Sequence, residues 1–218
     1  MRVFASWLAV AACVAACSPV QAPAPTEATS SPVARTGLDP LRVERVRSDL
    51  PTGYEFTPLP ARVAPIALWG LGPQWTADPA SCAELGDPAG DGPVHGWSAS
   101  GPGNIVYAVV AATGVGLDQA SLEGCGSWNL SAGHTAGVVT VVGSPVVEGA
   151  QTLGLSADAT TTVEGGTETH SHAETFVAYL GDHVAYVTVV TDPGSSAPSL
   201  GPGFASDLLV KTVAALRS

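Results

Sequence analysis

Short apolar segments separated by clusters of glycine and proline are the feature that most constrains the fold of this chain. Residues 94–100 and 104–112 flank the sequence Gly101-Pro102-Gly103, an arrangement that predicts a β-hairpin. Residues 105–110 are apolar at every position, as expected for a strand that is buried on both faces. We therefore expect this strand to lie at the centre of an antiparallel sheet.

Five further segments have the length and composition of β-strands. They span residues 54–57, 135–142, 151–163, 168–180 and 183–191. The dipeptide Gly181-Asp182 predicts a turn that makes the last two segments antiparallel partners. The segment 151–163 is polar and rich in threonine, which favours a position at the edge of the sheet.

Helices are predicted on both sides of these strands in the sequence. The segment 41–49 follows Asp39-Pro40, a capping residue and a proline suited to the first helical position, and residues 204–216 carry apolar side chains at helical intervals. Shorter helices are predicted over 78–85 and over 117–128. Antiparallel hairpins bracketed by helices predict an α+β fold, in which an antiparallel β-sheet is flanked by a few helices.

The N-terminal residues have the pattern of an export signal. Met1-Arg2 supplies positive charge, and residues 3–16 form an uncharged apolar run that is too short to span a bilayer comfortably. The run ends in Val14-Ala15-Ala16-Cys17, which resembles the lipobox of bacterial lipoproteins. We therefore expect a signal peptide at residues 1–16 and acylation of Cys17. Cys13 follows a similar set of small residues, and an ordinary secretory signal cleaved after an alanine is a further alternative.

A tether and one folded domain are predicted after this signal. Residues 17–40 are rich in proline, alanine, serine and threonine, and they hold too few large apolar side chains to form a core. Residues 41–218 have the length of a single domain. The acylated cysteine predicts a location on the outer face of the cell membrane, in the cell envelope, where the lipid anchors the protein.

Two cysteines remain for the folded domain if Cys17 is acylated. These are Cys82 and Cys125, and in an exported protein a single pair most simply forms a disulfide. A metal site or a reactive thiol is the alternative, but neither cysteine has the CxxC or CxxH spacing that is common in zinc sites.

The charge of the chain excludes several classes of partner. The sequence has 8 Lys and Arg residues and 19 Asp and Glu residues, which gives a formal net charge of −11 at pH 7. So few basic residues, scattered along the chain, do not form a patch that neutralises the phosphates of a nucleic acid or that attracts an anionic lipid surface. Nucleic-acid binding is therefore not expected, and membrane attachment has to come from the lipid anchor.

One predicted strand carries a candidate metal site. Glu168, His170 and His172 alternate along the chain and so project from one face of the strand, with the two histidines roughly 7 Å apart. Two histidines and a carboxylate, either Glu168 or Glu174, are able to bind one metal ion. The alternative is a polar strand face that contacts only solvent.

Two tryptophans are candidate ligand-binding residues. Trp69 and Trp75 flank a loop that contains Gly70, Gly72 and Pro73, and exposed tryptophan side chains are favoured at interaction surfaces. Each is a candidate to line a pocket, and burial in the core is the alternative. We find no assembled catalytic motif, and no cofactor is expected.

Several short motifs occur in order along the predicted domain. They are LPTGYE at 50–55, WGL at 69–71, SGPGNIVY at 100–107, VEGGTET at 163–169, YLGD at 179–182 and VTDPG at 190–194. With these motifs, residues 41–218 resemble a mycobacterial lipoprotein family that carries an uncharacterised domain. That domain is itself similar to the extracellular sensor domain of PknH-type serine/threonine kinases.

The resemblance implies an antiparallel sheet flanked by helices and a cleft for a ligand, without implying a known activity. The kinase sensor domain has two disulfides, whereas only Cys82 and Cys125 are available here, so no ligand residue is transferred. The sequence thus favours a non-catalytic, sensor-like or accessory domain that binds a small envelope ligand or a protein partner. A metal-dependent or hydrolytic envelope enzyme that uses His170 and His172 is one alternative, and a passive structural lipoprotein is another.

Overall fold

The computed structural model of the protein describes residues 37–191, 194–201 and 203–218. The predicted signal peptide, the predicted acylation site at Cys17 and most of the predicted tether lie outside these residues. The described residues all belong to the unit Thr36–Ser218. Within them, no helix is both long enough and apolar enough to cross a membrane.

Nine strands of the described residues form one antiparallel sheet. They are β1 (Glu55–Pro58), β2 (Thr76–Asp78), β3 (Val94–Gly101), β4 (Asn104–Ala112), β5 (Ser127–Ala132), β6 (Thr135–Val142), β7 (Gln151–Thr162), β8 (Glu168–Tyr179) and β9 (His183–Thr191). Their order across the sheet is β1-β3-β4-β9-β8-β7-β6-β5-β2. β4 pairs with β3 on one side and with β9 on the other, so the predicted hairpin and the central position of its second strand are confirmed.

The helices are short, except for the first and the last. They are the 3-10 helix η1 (Pro40–Asp49), α1 (Pro65–Leu68), the 3-10 helix η2 (Ala80–Cys82), α2 (Ala83–Gly86), α3 (Gln119–Glu123) and α4 (Phe204–Arg217). α4 buries Leu208, Leu209, Val213 and Leu216, whose spacing of three and four residues places them on one face. The predicted α+β fold, a sheet flanked by a few helices, is therefore confirmed.

Two hydrophobic cores lie on opposite faces of the sheet. Alternate residues of β4 contribute to different cores: Val106 and Ala108 pack with η1 and α4, whereas Val109 and Ala111 pack with the residues of α1, η2 and α2. We call η1 and α4 together the terminal helix layer. This division explains why β4 is apolar at consecutive positions.

Two of the predicted helices differ from those in the structure. The first, η1, is a 3-10 helix, because its two buried residues, Val43 and Val46, are three positions apart and match the three-residue period of that helix. The helix predicted over 117–128 is wrong beyond Glu123, where α3 ends. Trp128 instead lies on β5, where it is buried in alternation with exposed neighbours.

The predicted edge position of residues 151–163 is also wrong. β7 occupies this segment and pairs with β6 on one side and with β8 on the other. Its polar residues, such as Asp158, lie on the face that carries the terminal helix layer, but Asp158 is exposed beside that layer, while Leu155 and Ala157 are buried on the opposite face. The edges of the sheet are β1 and β2, which have four and three residues.

The predicted disulfide between Cys82 and Cys125 is confirmed. Both cysteines are fully buried. Cys82 ends η2 and Cys125 follows α3, so the bond joins two short helical segments that contribute to the same core.

Candidate ligand-binding groove

A groove opens between the segment around α1 and Asp87, the residue that follows α2. Its volume is about 560 Å³, within the range of small-molecule sites. The residues that line it are Arg62, Val63, Ala64, Ile66, Ala67, Leu71, Gly72, Pro73, Trp75 and Asp87. The wall is therefore mainly apolar, and one aromatic ring and two charged groups lie along it.

Trp75 is the predicted ligand residue that the structure places in this groove. Its side chain is half-buried. A Cβ added to Gly86 would lie 3.4 Å from the Cη2 atom of Trp75 and 3.5 Å from the Cβ atom of Ile66. The ring thus packs against the backbone of α2, which fixes one of its edges while the rest of the side chain remains available to the groove.

Trp69, the second predicted ligand residue, belongs to the core instead. It is only 2% exposed, and its Nε1–H donates a 2.9 Å hydrogen bond to Oγ1 of Thr175. The indole fills the space between the end of α1 and the sheet, because the chain turns there and directs the side chain inward. The prediction that Trp69 lines a pocket is therefore not supported by its position.

Arg62 and Asp87 form an ion pair at one end of the groove. Nη2 of Arg62 lies 2.7 Å from Oδ2 of Asp87, and Nε of Arg62 donates a 2.9 Å hydrogen bond to the carbonyl oxygen of Gly90. The exposed carboxylate of Asp91 lies 3.3 Å from the same Nε. This geometry holds the long arginine side chain against the rim.

The second carboxylate oxygen of Asp87 lacks a partner. Oδ1 is buried and accepts no hydrogen bond from the described residues. Burial raises the pKa of Asp87, while the Arg62 guanidinium and the backbone N–H of Gly90 partly offset the rise. A buried acceptor without a donor is costly, so a ligand that donates a hydrogen bond to Oδ1 would relieve this cost.

The sheet holds the segment that precedes α1 in place. The hydroxyl of Tyr186 on β9 donates a hydrogen bond to the carbonyl oxygen of Val63. Tyr186 is fully buried, and burial together with the nearby carboxylate of Asp87 raises its pKa well above the usual value, so the hydroxyl stays protonated. This bond positions the groove wall over the centre of the sheet.

A second, smaller cavity lies on the other side of Asp87. Its volume is about 220 Å³, and its polar lining includes Glu84, Asp118, Ser121 and Tyr179. Burial and the neighbouring carboxylate of Glu84 raise the pKa of Tyr179 to about 12. Asp87 therefore borders both the groove and this smaller cavity.

The residues predicted to bind a metal do not converge. Nδ1 of His172 lies 2.8 Å from Oδ1 of Asp158, and Nδ1 of His170 lies 3.0 Å from Oγ1 of Thr160, so each histidine pairs with the neighbouring strand β7. Glu168 is exposed at the start of β8. In the described part of the chain, no group of three or more His, Cys, Asp or Glu side chains is placed to hold a metal ion.

Sequence reasoning missed Arg62 and Asp87. They are 25 residues apart and no motif links them. One signal was present in the sequence: Arg62 is the single Lys or Arg among residues 48–210, and a lone cation in so acidic a stretch marks a specific ion pair.

Comparisons with solved structures support the fold. The chain is similar to an uncharacterised protein from Mycobacterium smegmatis, the Rv0999 ortholog, with 21% identity over 83% of this chain and 98% of that chain, and a TM-score of 0.62. It is also similar to the extracellular domain of PknH from Mycobacterium tuberculosis, with 14% identity over 83% of this chain and 92% of that chain, and a TM-score of 0.47. No curated protein matches the sequence significantly.

The match to the Mycobacterium smegmatis protein agrees with the fold that the resemblance implied. A family model described as a domain of unknown function matches residues 39–217, which is nearly the whole described part of the chain. The chain therefore belongs to the family of domains of unknown function designated DUF5642.

Proposed function

We propose that this protein is an exported, lipid-anchored envelope protein whose domain binds a small ligand in the groove beside Trp75, without catalysis. In this proposal Cys17 carries the lipid, residues up to about 40 form the tether, and the domain acts as a sensor-like or accessory module. The ligand has an apolar part that contacts Trp75 and a hydrogen-bond donor that reaches Asp87.

The observation that carries the proposal is that Trp75 and Asp87, whose carboxylate has one unpartnered oxygen, line the same groove. Ligand sites are concave, largely apolar and equipped with a few placed polar groups, and this groove has that composition. Because Oδ1 of Asp87 is buried without a donor, the ligand-free protein carries a free-energy cost that a donor on the ligand would remove.

Two further observations favour export and binding. The disulfide between Cys82 and Cys125 is the kind of bond that persists in oxidising compartments outside the cytosol. The described residues that line the groove offer no serine, cysteine or histidine, and their one carboxylate, Asp87, pairs with Arg62 and not with a general base, which favours binding over covalent catalysis.

Native mass spectrometry of the protein purified from its own envelope tests the binding proposal. We expect an additional non-covalent mass on the wild-type protein, and we expect Trp75→Ala to lose it. Phe56→Ala is the matched control, because Phe56 is a partly exposed aromatic residue that packs against Trp97 and Arg47, away from the groove. A wild-type protein without added mass, or a mass that Trp75→Ala retains, contradicts the proposal.

The anchor has its own test. Metabolic labelling with a tagged fatty acid should label the wild-type protein and should not label Cys17→Ala. Undiminished labelling of that variant contradicts the assignment of Cys17.

A further inference from the structure

The smaller cavity beside Asp87 has the features of a second binding site. One of its walls is the loop of residues 87–90 that follows α2, and another is the loop of residues 113–118 that follows β4. Tyr179, at the end of β8, forms a third side. The volume of about 220 Å³ is several times the roughly 30 Å³ that one water molecule occupies in the liquid, so the cavity has room for a small organic molecule.

Contacts within the domain hold these walls in place. Oγ1 of Thr113 donates a 3.1 Å hydrogen bond to the carbonyl oxygen of Pro88, which joins the two loops. The disulfide between Cys82 and Cys125 joins the residue that precedes α2 to the segment that follows α3. The cavity is therefore formed before any ligand enters it, as is usual for small-molecule sites.

The charge of the cavity lining is acidic. Glu84, Asp87 and Asp118 line it, and the described lining residues include no Lys, Arg or His. Asp87 is paired with Arg62, but neither Glu84 nor Asp118 forms a salt bridge with a basic side chain in the described part of the chain. The cavity therefore carries an uncompensated negative potential, which attracts a cation.

Tyr179 adds an unpartnered hydroxyl group to the same cavity. The residue is only 8% exposed, and its hydroxyl forms no hydrogen bond with the residues that the structure describes. The Glu84 carboxylate lies near enough to contribute, with burial, to the raised pKa of Tyr179, so the hydroxyl is protonated at neutral pH. A polar group that is almost buried and has no partner in the protein marks a place for a hydrogen bond to a ligand.

The spacing of the acidic groups favours an organic cation. Among the described residues, no group of three or more His, Cys, Asp or Glu side chains is placed to hold a metal ion, so the carboxylates are spread along the wall and do not converge on one point. Leu85 and Leu117 also line the cavity and offer apolar contact. A ligand with a positive group and a short apolar part matches both features.

We propose that this cavity binds a small protonated alkylamine. The ammonium group donates hydrogen bonds to the carboxylate of Glu84 and to the hydroxyl oxygen of Tyr179, and the alkyl chain packs against Leu85 and Leu117. Charge-assisted hydrogen bonds of this kind are about twice as strong as neutral ones. The proposal goes beyond the groove and does not require a ligand beside Trp75.

A chemical-shift titration of the 15N-labelled protein, purified from its own envelope, tests this site. The probe is n-butylammonium. The amide signals of Gly114 and Gly116, which line the cavity, should shift saturably, whereas that of Gly133, at the turn between β5 and β6, should not. The neutral probe 1-butanol has the same alkyl chain without the charge and should cause no saturable shift.

Three variants assign the contacts. Glu84→Gln should raise the Kd of n-butylammonium at least about fivefold, whereas Glu123→Gln, at an exposed glutamate of α3 that does not line the cavity, should change it less than about twofold. Tyr179→Phe should raise the Kd at least about threefold without lowering the urea midpoint of unfolding at neutral pH, because the hydroxyl has no partner in the described residues to lose.

A titration without saturable shifts at Gly114 and Gly116 up to about 50 mM n-butylammonium overturns the proposal. An equal response to 1-butanol, or equal effects of Glu84→Gln and Glu123→Gln, also overturns it, since charge would then not select the ligand. Saturable shifts at Gly72, which lines the groove, without shifts at Gly114 and Gly116 would place the amine in the groove and contradict the proposal as well. The comparison of the two probes uses the wild-type protein alone, so it decides the question even if a variant fails to fold.

Discussion

Trp69 tests how the segment that forms the groove is held in place. Its side chain is buried in the core, whereas the side chain of Trp75, six residues later, lines the groove. The Trp69 indole is buried at the end of α1, and its Nε1–H donates to Oγ1 of Thr175, which in turn shares a 2.9 Å hydrogen bond with Oγ1 of Thr188. These three buried side chains link the groove segment to β8 and β9. Substitution of Trp69 should therefore lower stability, while substitution of Trp75 should affect ligand binding.

The size of the effect follows from burial. Trp69→Phe keeps most of the apolar contact but removes the indole donor and leaves the Thr175 hydroxyl short of a partner, at a cost of about 1–3 kcal/mol in the free energy of unfolding. Trp69→Ala also leaves a cavity and should cost about 3–5 kcal/mol. Trp75→Ala, at a half-buried position, should cost about 1 kcal/mol.

Urea unfolding followed by circular dichroism measures these values without relying on tryptophan fluorescence. A double-mutant cycle of Trp69→Phe with Thr175→Val isolates the hydrogen bond, and we expect an interaction energy of about 1 kcal/mol. A Trp69→Phe variant within about 0.5 kcal/mol of the wild type, combined with an additive cycle, would refute the role assigned to this bond.

Other contacts give further expectations. Replacing Cys82 and Cys125 by alanine opens a loop with a sequence separation of 43 and should lower the unfolding free energy by about 4 kcal/mol in the chain-entropy model; a loss below about 1 kcal/mol in urea contradicts this. Because the native pKa of Asp87 is raised, its contribution to stability is greatest below the ordinary aspartate pKa and is lost as pH rises through the native pKa. Asp87→Asn should remove this part of the pH dependence of the unfolding free energy, measured between about pH 4 and pH 7. An unchanged pH dependence argues against a raised pKa of Asp87. Tyr179 should ionise near pH 12 in a 295 nm absorbance titration, so its contribution to stability is lost as pH rises from 10.0 towards that value; a Tyr179→Phe variant with the same titration curve disproves the assignment. Gly96→Ala should cost about 1–3 kcal/mol by urea unfolding, because the added Cβ would lie 2.3 Å from a backbone carbonyl oxygen of β4, and a neutral effect would show that the strands separate freely there.

The parts of the fold that were predictable from sequence are those in which one strong pattern decides the structure. β4 is apolar on both faces because it lies between two cores, and α4 has apolar residues at helical spacing because one of its faces packs on the sheet. In both cases the local pattern and the tertiary environment agree. The predicted boundaries are therefore close to those observed.

The errors occur where two patterns compete or where an element is too short to have one. Leu122, Cys125 and Trp128 are three apart, which suggests a helix, yet Trp128 and Leu130 also alternate as in a strand, and pairing with β6 decides in favour of the strand. β2 and α1 have three and four residues, too few to show any period. Only the tertiary structure determines such elements.

One kind of residue in the candidate site, a loop tryptophan, was predictable from the sequence, but the way in which the site is assembled was not. A tryptophan in a Gly- and Pro-rich loop indicates a surface role, but the sequence does not distinguish Trp75 from the buried Trp69, since burial depends on which way the loop turns. Arg62 and Asp87 come together beside Val63, where Tyr186 holds the groove segment over the sheet. Long-range contacts of this kind leave no periodic signal.

The central claim is that the groove beside Trp75 holds a ligand. The most direct measurement is a crystal structure of the protein purified from its own envelope. The account predicts electron density for a bound molecule that contacts the Trp75 ring and donates a hydrogen bond of about 3 Å to Oδ1 of Asp87. A groove that holds only water, with a bound molecule elsewhere on the domain, would contradict the account.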